Sequence, residues 1–117
     1  FARFGLLFFL QGRWRDEQLI SDSWIKESTS VPSDSNKADY ALQWWVNETD
    51  GYYFSAGLHQ NNIYIFPEYD LVVVRNSTYT RRGDARVRTG DNYHLTIPPA
   101  DWSDPTFLSH ITGAILE

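Results

Sequence analysis

Apolar positions change their spacing along this chain, and the changes mark its elements. From Phe1 to Leu10, Phe4, Leu7 and Phe8 fall at i, i+3 and i+4 while Arg3 lies off that face, which predicts a helix. Gly12 is its natural C-terminal stop. Trp14 follows in the polar turn GRWRDEQ, and Leu19-Ile20 make a short apolar step. Ser21 reads as an N-cap with Asp22 favourable in the first turn, so a short helix is predicted from Asp22 to about Thr29, burying Trp24 and Ile25. The polar run VPSDSNKAD over 31–39 reads as a loop.

Beyond it the pattern turns to aromatic and β-branched residues. Four strands are predicted: Tyr40–Asn47, one opening at Tyr52 and running toward Gly57, Asn61–Phe66, and Leu71–Arg75. Asp50-Gly51, flanked by Trp-Trp-Val and Tyr-Tyr-Phe, is a hairpin signal, since glycine supplies the positive φ the turn needs. Pro67 opens the next turn, through Asp70. Leu71–Val74 is apolar without alternation, the pattern of a central strand covered on both faces. Ser77–Asp101 is polar and reads mostly as loop, with a short extended piece at Tyr93–Ile97. Asp104 as cap and Pro105 at the first helical position open a last helix over 104–116, with Phe107, Leu108, Ile111 and Ile115 on one face. The expected fold class is α+β: an antiparallel meander over 40–75, with helices toward both ends of the chain and a loop over 76–103.

Composition narrows the function classes. The 117 residues make one domain or a piece of a larger one; there is no Met, and an opening at Phe1 reads as a trimmed or partial sequence. An aromatic share of 16% is far from a disordered composition and can supply a core. A net charge of -5 argues against a polyanion, so no nucleic-acid partner is expected. Arg81, Arg82, Arg86 and Arg88, interrupted by Asp84, read as a solvated loop. The absence of Cys excludes disulfides, thiolate chemistry and Cys-based metal sites. FARFGLLFFL is apolar but too short to span a bilayer, and it lacks a charged leader, so no membrane span is expected. No glycine-rich phosphate loop is present, and His94 and His110 are isolated, so neither a cofactor nor a metal is expected.

Few residues are candidates for chemistry. Ser23-Trp24-Ile25-Lys26 matches S-x-x-K, the spacing that sets a nucleophilic Ser one turn from an activating Lys, but a capped surface helix with a solvated Lys accounts for it. His59, beside Gly57, has a ring able to donate and accept, which suits positioning or polarising a substrate; a strand-end His bonded to a nearby carbonyl accounts for the same residues. Gly57 itself would let the backbone come close to a ligand. Asp50, Glu68 and Asp70 sit in turns and read as solvated. Asn47-Glu48-Thr49 and Asn76-Ser77-Thr78 match the glycosylation sequon, which matters only in a eukaryotic secretory host.

Taken together, these stretches resemble the C-terminal part of the serine β-lactamase-related family: class C-type β-lactamases, penicillin-binding esterases and 6-aminohexanoate-dimer hydrolases. ARFGLLFFLQGRW and then LISDSWIKEST are similar to the family's "ARFGLL…GGRW…ISEEWV…T". YALQWWVN resembles "YGYQWWV", AGLHQNNIYIFPEYDLVVVRNS resembles "RGIHGQYIYVDPELDLVVV", and DPTFLSHITGAIL looks like the family's terminal helix. The resemblance implies that Ser55-Ala56-Gly57 occupies the place of the Lys-Thr-Gly motif on a strand edge lining the catalytic cleft, with His59 beside it. It implies that the Leu58 backbone N–H is one half of an oxyanion hole, the other half being the N–H of the nucleophilic Ser. Ser55 stands where a β-lactamase holds a β-lactam carboxylate with Lys, which points away from antibiotics and toward another small ester or amide. Gln60-Asn61 replaces the Gly-Gln common in the nylon-hydrolase branch.

The family's nucleophilic S-x-x-K and Tyr base lie upstream of the matched region, and Ser23–Lys26 falls in an ordinary segment after a helix. The expected function is therefore that of the C-terminal portion of a serine hydrolase, partnered by the remainder of a parent chain and inactive alone. The alternatives are a non-catalytic binding module, stacking sugars or peptides on Trp44, Trp45, Tyr52 and Tyr53, and a catalytically dead family member.

Overall fold

The structure, a computed structural model, describes residues 1–37, 39–77 and 102–115. In chain order it contains helix α1 (Ala2–Phe9), a small hairpin of β1 (Arg13–Trp14) and β2 (Glu17–Gln18), and helix α2 (Asp22–Ser28). Strands β3 (Trp45–Asn47), β4 (Tyr52–Ser55), β5 (Asn62–Phe66) and β6 (Leu71–Arg75) follow, and then helix α3 (Asp104–Gly113). The fold is α+β, and the main sheet is an antiparallel meander in the order β3-β4-β5-β6. Two compact units divide after residue 76: Phe1–Asn76 and Ser77–Glu117.

α1 ends in a paired cap. The Gln11 N–H donates to Phe8 O at 3.1 Å and the Gly12 N–H to Leu7 O at 2.8 Å, which is the Schellman arrangement. The left-handed position belongs to Gln11, at φ 54, and Gly12 follows at φ 78. Gly12 is needed for a second reason: a Cβ there would lie 2.0 Å from the Ile20 carbonyl oxygen. That close approach comes from the β1–β2 hairpin, which turns through Arg15 at φ 55 and brings the Leu19 and Ile20 N–H groups onto Gly12 O. Reading 12–18 as a polar turn misses this hairpin, because two-residue strands show no alternation.

α2 begins as expected, with the Ser21 hydroxyl accepting the Trp24 N–H at 3.2 Å. Ile25 is buried, but Trp24 is 45% exposed, which corrects its expected burial. One face of a two-turn helix carries Ile25 and Ser28 inward, and the residue before Ile25 is rotated about 100° away from it.

The core lies between α1, α2 and one face of the sheet. Phe8, Ile25, Trp44, Tyr53, Ile63 and Ile65 pack together, with Val46, Val72 and Val74 against them. Gly5 lets α1 lie close on β5 and β6: a Cβ there would meet Ile63 Cγ2 at 2.7 Å and Val72 Cγ1 at 2.8 Å. Strand alternation turns Trp45, Tyr52, Phe54, Tyr64 and Phe66 to the other face, where their rings form a continuous chain of contacts.

Two strand expectations need correction. Tyr40–Asn47 is not one strand: the Ala41 N–H donates to Trp44 O, Gln43 takes φ 73, and Tyr40 is left with a single bridge to Trp45. The central, fully buried strand is β5, whereas β6 ends the described sheet and is half-buried throughout. An unalternating apolar run on β6 therefore goes with partial cover and an outer place among the described strands.

α3 is capped by Ser103, whose hydroxyl accepts the Thr106 N–H at 3.3 Å; Asp104 is its first residue and accepts the Trp102 indole N–H at 2.8 Å. Leu108 is its buried residue, and Ile115, expected on the same face, is 44% exposed. Of the loop expected over 76–103, residues 78–101, with the extended piece at Tyr93–Ile97, the arginines and His94, lie outside the described residues. Among the described residues no helix is long and apolar enough to cross a membrane.

Candidate functional site

β4 leaves the sheet at Ser55, and what it does next defines the candidate site. On one side Ser55 pairs with Ile63 of β5, and its hydroxyl accepts the Ile63 N–H at 3.3 Å. On the other side the β3–β4 ladder ends with Trp45 opposite Phe54, so from Ser55 onward this edge of β4 has no ladder partner among the described residues. Ala56, Gly57 and Leu58 are exposed there, while Ser55, His59 and Gln60 are half-buried.

After Gly57 the chain makes one 3₁₀ turn, Leu58–Gln60. The first N–H of such a turn has no partner within it, and here that group belongs to Leu58. The turn is unusual in its backbone. His59 (φ 61) and Gln60 (φ 52) are both left-handed, a conformation that costs roughly 1–2 kcal/mol for a residue with a Cβ.

Neighbouring polar side chains hold this geometry. The Gly57 N–H donates to Asn62 Oδ1 at 3.1 Å, and Asn62 Nδ2 donates to the Tyr64 hydroxyl at 2.7 Å; Asn62 and Tyr64 are almost completely buried. The Asn61 side-chain amide and backbone N–H both donate to Leu58 O. Arg75 Nη1 donates to His59 O at 3.1 Å and to Gln60 O at 3.0 Å. Gly57 has an internal reason to be glycine, since a Cβ would sit 2.6 Å from Asn61 O. Its φ of −109 is open to any residue, so the requirement is steric.

The structure thus brings Ser55, Ala56, Gly57, Leu58 and His59 together on one strand end and turn. Arg75 and Asn62, which with Asn61 hold that turn, do not stand out in the sequence. An Asn opening the run Ile63-Tyr64-Ile65-Phe66 was the available signal, because a polar side chain in a buried strand must be paired. Ser23 and Lys26 are exposed on α2, where the Ser23 hydroxyl lies 3.2 Å from that of Ser21. Trp44, Tyr52 and Tyr53 are buried, and of the four residues considered for stacking only Trp45 keeps partial exposure.

The Tyr53 hydroxyl is buried with no partner among the described residues, and burial pushes its pKa up to about 12. Among the described residues no group of three or more His, Asp or Glu side chains is placed to hold a metal ion.

Comparison with family models, with curated proteins and with solved structures finds no match to this chain.

Proposed function

We propose that this chain is the C-terminal portion of a serine hydrolase that cleaves ester or amide bonds through an acyl-enzyme. The nucleophilic Ser and its Lys/Tyr base belong to the remainder of the parent protein. One observation carries the reading beyond motif likeness. Where the serine β-lactamase-related pattern writes glycine, in GGRW and in IHGQ, this chain has Gln11 and Gln60. Both adopt the left-handed backbone that glycine favours, at φ 54 and φ 52. Two departures from the pattern therefore keep the backbone shape that the pattern implies.

In this reading the Ser hydroxyl attacks the carbonyl carbon, the leaving group departs from the tetrahedral intermediate, and water releases the acyl group in a second attack. The Leu58 N–H, uncommitted within its turn, stabilises the oxyanion together with the N–H of the nucleophile. Ser55, Ala56, Gly57 and His59 form the adjoining cleft wall. Ser55 is neutral, which suits an uncharged ester or amide better than a β-lactam carboxylate.

The test is labelling of the protein that carries this chain with a serine-directed fluorophosphonate, followed by peptide mass spectrometry. The expected adduct lies on a serine outside residues 1–117. An adduct on Ser23, or none together with no hydrolysis of p-nitrophenyl acetate, overturns the reading.

A further inference from the structure

The turn that carries the Leu58 N–H is strained, and strain persists only where the surroundings over-determine it. Two successive left-handed residues with side chains, His59 and Gln60, would relax if nothing held their carbonyls. Arg75 meets both. A guanidinium nitrogen at the Nη1 position bears two hydrogens, so this one nitrogen can donate one to His59 O (3.1 Å) and one to Gln60 O (3.0 Å). The guanidinium is planar and its donors keep fixed relative directions, so the two carbonyls are fixed relative to each other. Arg75 is itself anchored, paired with Asn62 at the far end of the β5–β6 ladder.

We propose that Arg75 is a positioning residue: by clamping the His59 and Gln60 carbonyls it sets the direction of the Leu58 N–H toward the reacting carbonyl oxygen. The proposal rests on the hydrolase reading above. The other contacts to the turn complete the frame without using that N–H. Asn61 holds the Leu58 carbonyl, and Asn62 holds the Gly57 N–H. Arg75 is the member of this frame that reaches across from a different strand, so it ties the turn to the sheet and not merely to its own sequence neighbours.

The experiment compares wild type with Arg75→Gln and Arg75→Lys in the protein that carries this chain. It reads amide hydrogen exchange over 56–62 and steady-state hydrolysis of p-nitrophenyl acetate. In Arg75→Gln, exchange over 56–62 is expected to quicken about tenfold while α1 and residues 63–66 of β5 exchange as in wild type. kcat is expected to fall roughly ten- to a hundredfold with KM within about twofold, because an oxyanion donor acts in the transition state. Arg75→Lys keeps the charge but presents a single ammonium in place of the planar fork, and restores only part of the loss. Unchanged exchange over 56–62, or unchanged kcat with quickened exchange, overturns the positioning role while leaving the hydrolase reading intact. A loss in Arg75→Lys matched by faster exchange in α1 and residues 63–66 of β5 overturns it too, as general destabilisation. A wild-type protein without esterase activity removes the hydrolase reading and the positioning role together, a result distinct from all of these.

Discussion

Asn62 Oδ1 accepts the Gly57 N–H at 3.1 Å, joining the buried start of β5 to the point where the chain leaves β4. The same side chain donates to the Tyr64 hydroxyl, so one amide serves a buried hydroxyl and the backbone N–H of an exposed glycine. Truncation at Asn62→Ala leaves the Gly57 N–H and the Tyr64 hydroxyl without this partner. The expected cost is about 2–4 kcal/mol, read as a lower urea midpoint with the m-value unchanged. Asn62→Asp keeps the acceptor but buries a carboxylate. Its stability is expected to recover on acidification, as the carboxyl takes up a proton, and a flat pH profile would sink the assignment.

Tyr53 gives the chain a signature at high pH. Its folded pKa, about 12, lies above the ordinary value of 10.0, so the folded state holds the phenolic proton more tightly. Stability from this group is complete below pH 10 and is lost as pH rises toward 12, a loss on the order of 2 kcal/mol. Tyr53→Phe removes the hydroxyl that has no partner among the described residues. It is expected to be neutral or stabilising by up to about 1 kcal/mol at pH 7 and to flatten the decline above pH 10. Denaturant midpoints from pH 8 to 12 for both proteins decide it.

Three glycines should respond differently to a methyl group. Gly12→Ala places Cβ 2.0 Å from Ile20 O on a left-handed backbone and should cost about 3 kcal/mol or more. Gly5→Ala pushes against Ile63 and Val72 side chains and should cost about 1–3 kcal/mol. Gly113→Ala meets nothing within 4 Å at the end of α3 and should be neutral or stabilising by up to about 1 kcal/mol. Thermal midpoints in that order support the described packing; Gly5→Ala matching Gly113→Ala would remove α1 from its place on the sheet.

Much of this fold is written locally. The Asp50-Gly51 hairpin, the turn after Pro67, the Ser21 cap and the presence of β4, β5 and β6 follow from turn chemistry and strand propensity that neighbouring residues carry. What escaped depends on tertiary context. Gln43 at φ 73 cuts Tyr40–Asn47 short, and nothing about a glutamine announces a left-handed backbone. Ser103 and Asp104 are adjacent cap-forming residues, and only the hydrogen bond to Thr106 separates them. The apolar run of β6 hides an outer place in the described sheet, because the pattern records cover and not neighbours. At the candidate site, Ser55–His59 stood out by sequence, whereas Arg75 did not: a charged residue ending a strand is ordinary until its two carbonyl partners are seen.

The left-handed residues that shape the turns also bear on how quickly the chain finds its structure. Gln11, Arg15, Gln43, His59 and Gln60 all hold left-handed backbone that costs a residue with a Cβ about 1–2 kcal/mol. Turns of that kind do not nucleate a hairpin; they form once the strands beside them have met. The nucleus is then expected to lie in the long-range contact of α1 with β5 and β6, and the turns to close late. Gln43→Gly and His59→Gly should each stabilise by about 0.5–1 kcal/mol, slow unfolding and leave the refolding limb of the chevron where it was. Faster refolding in either would place its turn in the nucleus. On this expectation the sheet makes these strained turns, and the time needed to fold is the time needed to bring the first helix to the third strand of the meander.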